Sequence, residues 1–139
     1  MSIDPKERRL QGIRLFKDAD STAISHLASV ADEVDVKAGN HLIKEGHNHH
    51  ELYVIEHGTA AVSIEGTEVA EIPEGELVGE MGYFVRHPAS ATVTAKTDLV
   101  LFVIPFSRFE QVLEENPVLV RSMLNEFAQR LYATDKKLR

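Results

Sequence analysis

The sequence contains no cysteine. Neither a disulfide framework nor a thiolate metal site is therefore open to it, which is compatible with a reducing cytosol. It also lacks long apolar stretches: the longest, Leu99 to Ile104, is far short of the ~20 residues that a membrane-spanning helix needs. The opening residues, Met1 to Arg9, have no apolar segment of the signal-peptide type. Positive charge is in short supply, with 15 Lys and Arg against 22 Asp and Glu and a formal net charge of −7. A nucleic-acid surface needs clustered cations, so direct nucleic-acid binding by this segment is not expected. No nucleophile stands with a base and an orienting group, and Glu114-Glu115 read as ordinary helix-surface charge. The expectation is a soluble, cytoplasmic protein that is not an enzyme, touches no membrane and carries no cofactor.

What is present fits one globular domain over residues 1–139, with 43% hydrophobic and 27% charged residues. Residues 1–31 read as N-terminal helices. Ile3 to Phe16 has a thin stripe of Leu10, Ile13 and Phe16, expected as a surface helix that docks late. After Asp20 or Ser21, either able to cap a helix, Ile24, Leu27, Ala28 and Ala31 recur at helical spacing, with His26 beside them. Residues 34–105 then break into short β-rich pieces separated by turn signals, the pattern of an antiparallel roll. The expected strands are Val34 to Val36, His41 to Ile43, Leu52 to Ile55, Ala60 to Ile64, Val69 to Ile72, Ala91 to Ala95 and Leu99 to Ile104. Ala60, Val62 and Ile64 should share one face, and the last strand should be buried on both faces. Residues 106–139 switch to helix, with Ser107 as a cap for Arg108 to Glu115 and Asn116-Pro117 as a break that starts a second helix.

Residues Gly75 to Ala95 organise the functional reading. Gly79 and Gly82 bracket Glu80 and Met81, and a helix-competent piece follows that ends before Pro88. Gly79-Glu80 thus sits at a turn into a helical turn, whose outward N–H groups suit an anion such as a phosphate. The Glu80 carboxylate suits instead a hydroxyl donor, such as a sugar. Together they suggest a nucleotide with a ribose.

Val78-Gly79-Glu80-Met81-Gly82, followed by Pro88-Ala89-Ser90-Ala91-Thr92-Val93, resembles the phosphate-binding cassette of cyclic nucleotide-binding domains. That family reads Phe-Gly-Glu-Leu-Ala and then Pro-Arg-Ala-Ala-Thr, and the two frames align without a gap. The resemblance implies a mainly β fold, an antiparallel roll with an N-terminal helix and two C-terminal helices, binding cAMP or cGMP. It implies ligand contacts at Val78, Gly79, Glu80, Met81, Gly82, Ala89, Ser90 and Ala91: Glu80 on the ribose 2′-hydroxyl, and the N–H groups of Gly82, Ala89 and Ser90 on the phosphate. The family's arginine falls on Ala89. A planar guanidinium matches phosphate oxygens, and losing one partner of a buried charge pair costs about 2–5 kcal/mol, roughly thirty- to several-thousandfold in affinity. Arg86 and His87, just before Pro88, are candidates to compensate, with Ser90 the better placed.

In the last helix Val120, Leu124, Phe127, Leu131, Thr134 and Leu138 follow the seam of a coiled coil. Leu119, Met123 and Ala128 give it a second apolar face, so the expectation is a homodimer through this helix. Asn116-Pro117, Ala128, Arg130-Leu131, Thr134 and Lys137 resemble the dimer helix of the catabolite activator branch of the family. There a threonine at the place of Thr134 and a serine after it, from the other subunit, bind the adenine; here the second position is Asp135. Three roles are expected: a cyclic-nucleotide sensor with weakened affinity, a degenerate module for dimerisation or protein interaction, or the sensor half of a transcription regulator continuing beyond Arg139.

Gly46-His47-Asn48-His49-His50-Glu51 invites a metal reading. In the frame of the metal-binding cupins Glu51 stands correctly before Gly58, but Glu45 replaces one histidine and Val78 another. With two of four ligands missing, no metal is expected and the segment reads as a solvated loop.

Overall fold

A computed structural model describes residues 4–138. Ile3 and Arg139, on which sequence expectations fall, lie outside the described residues, as does the side chain of Leu138. The chain runs α1 (Pro5–Gln11), a 3₁₀ turn (Arg14–Phe16), α2 (Ser21–Val30), β1 (Asp32–Val36), β2 (His41–Ile43), β3 (Glu51–His57), β4 (Ala60–Ile64), β5 (Thr67–Ile72), β6 (Leu77–Val78), α3 (Glu80–Val85), β7 (Thr92–Ala95), β8 (Leu99–Pro105), α4 (Phe106–Glu115) and α5 (Pro117–Leu138). The strands form two antiparallel sheets in the orders β1-β8-β3-β6 and β2-β7-β4-β5, the rolled architecture expected.

The first sheet is the middle layer of the molecule. Side chains alternate across a strand, and β8 sends Leu99 and Leu101 into the roll beside Ile55, Val78 and Val93. Its Phe102 and Ile104 point the other way, against Phe16, Leu27 and Phe109 of the helical layer. β3 divides likewise, with Leu52 and Val54 on the helical side and Ile55 in the roll. This double burial explains the unbroken apolar run of β8.

The N-terminal segment departs from expectation. Leu10 and Phe16 are fully buried and Ile13 nearly so, within the main core. The 3₁₀ turn folds the chain back beneath α5, and the Gln11 side-chain amide donates to the carbonyls of Phe16 and Ala19 to hold it there. Ile64 also differs: Ala60 is buried, but Ile64 is exposed near the β4–β5 hairpin tip, where a bulge at Val62/Ser63 shifts the pairing. Glu65 and Gly66, both at positive φ, make that tip.

Asp20 caps α2, its carboxylate accepting from the Ala23 N–H at 2.9 Å. α4 begins two residues before the sequence suggests, directly after Pro105, so Ser107 lies inside the helix and does not cap it. On α5, Leu119 and Met123 pack into the core while Leu124 and Leu131 are exposed. Ala128, expected on a second apolar face with Leu119 and Met123, is exposed.

Candidate ligand-binding cassette

β6 pairs with Tyr53 and Val54 of β3 and ends at Val78. Gly79 then takes φ +92°, a left-handed conformation that glycine adopts without strain, and turns the chain into α3. The helix ends at Arg86, also left-handed at φ +64°. Here the strain of a non-glycine residue is offset by two contacts. The Arg86 Nε donates to the Tyr83 carbonyl at 2.8 Å, and the guanidinium carbon sits 5.3 Å from the centre of the Tyr83 ring. Tyr83 is itself buried edge-on against Phe106 and Phe109.

Between α3, the start of β7 and the inner face of the roll lies a cavity of about 200 Å³. Val78, Gly79, Glu80, Met81, Gly82, Ala89, Ser90 and Ala91 all line it, so eight positions singled out from the sequence meet in one wall. His87 lines it too, its Nδ1 2.9 Å from the Pro88 carbonyl. Arg86 does not; it borders a wider polar depression on the far side of the helix end, with His50, Glu51 and Ser107.

Ala89 differs from expectation in its backbone. Its N–H donates to the His47 carbonyl at 3.0 Å and its carbonyl accepts from the Gly46 N–H at 2.8 Å. A donor already used inside the protein is not available to a phosphate, so the expected Ala89 N–H contact drops out. Among the described residues no hydrogen bond engages the Ser90 hydroxyl.

Glu80 is half-buried in the wall. Burial pushes its carboxyl above the usual carboxylate range; its own backbone N–H and the Arg130 charge pull it back, and the Glu76 charge pushes it further up. Glu76 stands between two arginines: Arg130 of α5 donates to one oxygen at 2.6 Å and Arg14 of the 3₁₀ turn pairs with the other at 2.8 Å. This staple fixes α5 beside the cassette.

Glu80 and Met81 also line a second space of about 570 Å³, an apolar groove between α3 and α5 that includes Phe84, Phe127, Leu131 and Thr134. Thr134 and Asp135 thus stand apart from the cassette cavity. The Thr134 hydroxyl donates back to the Arg130 carbonyl at 3.1 Å, and Asp135 is exposed on α5.

Of the lining residues that were not expected from the sequence, the one with site chemistry is a histidine. His49, from the loop between β2 and β3, lies against Gly79 and Gly82, where a Cβ on Gly82 would collide with its ring. The available signal was Gly82 itself, since a glycine inside a helical turn marks a close approach. Among the described residues no three His, Asp or Glu side chains are grouped to hold a metal ion, and no helix is long and apolar enough to cross a membrane.

Proteins of known identity resemble this chain in sequence or in fold. The human potassium/sodium hyperpolarization-activated cyclic nucleotide-gated channel 4 is 28% identical over 123 residues, 88% of this chain and 10% of the channel. The chain thus spans about a tenth of the length of the channel relatives it matches. The N-terminal domain of a transcriptional regulator from Streptomyces coelicolor A3(2) superposes with a TM-score of 0.74 at 26% identity, covering 92% of this chain and 95% of that one. The regulatory subunit of a cAMP-independent protein kinase A from Trypanosoma brucei, as a mutant bound to cAMP, superposes at 0.78 with 24% identity, covering 97% and 51%. The profile of the family described as cyclic nucleotide-binding domain matches residues 33–116, from β1 through the cassette to the end of α4, and the chain belongs to that family.

Proposed function

We propose that residues 1–139 act as one regulatory domain that takes a cyclic nucleotide, cAMP or cGMP, into the roll, and that the domain is not itself catalytic. The observation that carries this is the convergence of Glu80, Gly82 and Ser90 on one cavity. Glu80, in the cavity wall, accepts from the ribose 2′-hydroxyl. The Ser90 hydroxyl and N–H and the Gly82 N–H serve the phosphate. The shared wall of Glu80 and Met81 lets the base extend toward Thr134 in the apolar groove. The exposed Leu124 and Leu131 support a homodimer through α5, which places Asp135 where a second subunit meets the site.

A second reading, a degenerate module that assembles without ligand, is favoured by one observation: Ala89 offers neither a cationic side chain nor a spare N–H. Calorimetric titration with cAMP and cGMP separates the two. Saturation below about 100 μM, near −5.5 kcal/mol, supports the sensor. No heat at millimolar ligand, restored by Ala89→Arg, supports the degenerate module, and silence from both proteins overturns the cassette reading. The likeness to the Streptomyces regulator domain raises the third role, a sensor feeding a DNA-binding partner domain; translating the natural reading frame past Arg139 tests it.

A further inference from the structure

Among the described residues, the wall of the cassette cavity contains no arginine or lysine, and its charged or chargeable groups are Glu80, His49 and His87. His87 is exposed, with its Nδ1 turned to its neighbour's carbonyl. His49 is held differently. Its Nδ1 lies 3.2 Å from the Glu51 carbonyl oxygen, its ring packs edge-on to Phe106 at 5.4 Å, and its Nε2 end abuts Gly82.

A carbonyl oxygen only accepts, so Nδ1 carries a hydrogen and donates it. The remaining nitrogen, Nε2, is then a lone pair in the neutral ring and an N–H donor in the charged one. It is this nitrogen that lies over the cassette glycine. Gly82 is what makes the approach possible, since any side chain there would displace the ring.

We propose that His49 is the cationic ligand contact of this cassette: protonated at Nε2, it donates to an anionic oxygen of the bound nucleotide in place of the guanidinium that Ala89 lacks. This deepens the cyclic-nucleotide reading and rests on it. Ligand and proton then bind together. Imidazole changes charge between about pH 5 and 8, while a cyclic phosphodiester keeps its single charge throughout, so affinity rises as pH falls, by at most about tenfold per pH unit. The other titratable or charged groups around His49 are Glu80 and His87 on the cavity side, and Glu51, Glu110, Arg86 and His50 around the depression behind the ring.

The test is calorimetric titration of the full chain with cAMP at about pH 5.5, 7.0 and 8.5, in two buffers of different ionisation enthalpy. The wild type should bind at least tenfold more tightly at the lowest pH than at the highest, with net proton uptake. His49→Gln keeps a hydrogen-bonding side chain without the charge. It should lose both the pH dependence and about tenfold or more of the affinity at low pH. The double variant His49→Gln with Ala89→Arg should bind equally at every pH, and its melting curve checks that it folds. A wild type whose affinity is flat with pH, or a pH dependence that survives His49→Gln, overturns the role of His49 while leaving the nucleotide reading intact if Ala89→Arg binds. Failure of Ala89→Arg to bind at any pH overturns both.

Discussion

The middle sheet has two faces filled in opposite ways. Toward the helices it meets Phe16, Phe102, Phe109 and Tyr83 interlocked with leucines, a core that draws on every helix except α3's exposed tip. Toward the roll it meets Ile55, Val78, Val93, Ala95 and Leu101, with no fully buried aromatic ring among them, and a cavity remains. Aromatic side chains bring most of the buried area per residue. Where they are absent, a closed roll of short strands leaves room for a guest. The lesson is a division of labour: one face holds the domain together and the other is kept thin enough to be occupied.

The strongest challenge to that division compares one truncation on each face. Phe109→Ala removes a fully buried ring and should cost about 3–5 kcal/mol. Val93→Ala borders the cavity and should cost about 1–2 kcal/mol. Urea denaturation measures both, and equal losses would erase the contrast.

Next in size is the staple. Glu76→Gln deprives Arg14 and Arg130 of their shared carboxylate and should cost about 1–2 kcal/mol, discounted because both arginines are part-exposed. The loss should be visible as faster amide exchange across α5, with the β3–β8 ladder unchanged. Exchange that quickens equally in the roll would mean the two faces are coupled more tightly than the packing suggests.

A smaller effect is sited on the filled face itself. Glu56 is buried with one oxygen unpartnered, beside Glu33 and paired with Arg9 at 2.8 Å. Burial, then the hydrogen bond and charge of Glu33, push its carboxyl up to about 7 against the pull of Arg9 and His57. The folded state therefore holds this proton more tightly than the unfolded one. Stability is full below the ordinary glutamate range and falls as pH rises through about 7, by on the order of 1 kcal/mol. Thermal melts of the wild type should decline between about pH 5 and 8, and those of Glu56→Gln should decline less.

The smallest effect on folding is expected at the exposed rim of the α3–α5 groove, which Leu124 and Leu131 line. Leu124→Glu with Leu131→Glu alters two exposed side chains and should change monomer stability by less than about 0.5 kcal/mol. Sedimentation should show it shifting a dimer to monomers.

Much of this contrast was legible in the residue order. Turn glycines set the strand spacing, and the unbroken run of β8 reported its double burial. Gly79, Gly82 and Pro88 marked the cassette wall to which eight named positions contribute. What stayed hidden depended on distant partners. β6 is two residues long, too short to show a period, and exists because Tyr53 and Val54 pair with it. The burial of Leu10 and Phe16 follows from a 3₁₀ turn that the thin apolar stripe did not disclose. The loss of the Ala89 N–H and the approach of His49 come from the β2–β3 loop, some forty residues upstream of Ala89. Dismissing that loop as solvated hid both.

α3 is only six residues long, yet Glu80 and Met81 face the two cavities at once, and Phe84 touches Phe127 of α5 at 5.9 Å between ring centres. So thin a diaphragm is the one partition between the two spaces. A guest crowding the roll would bear on the same turn that leans on α5, a path to the far helix that bypasses the packed core.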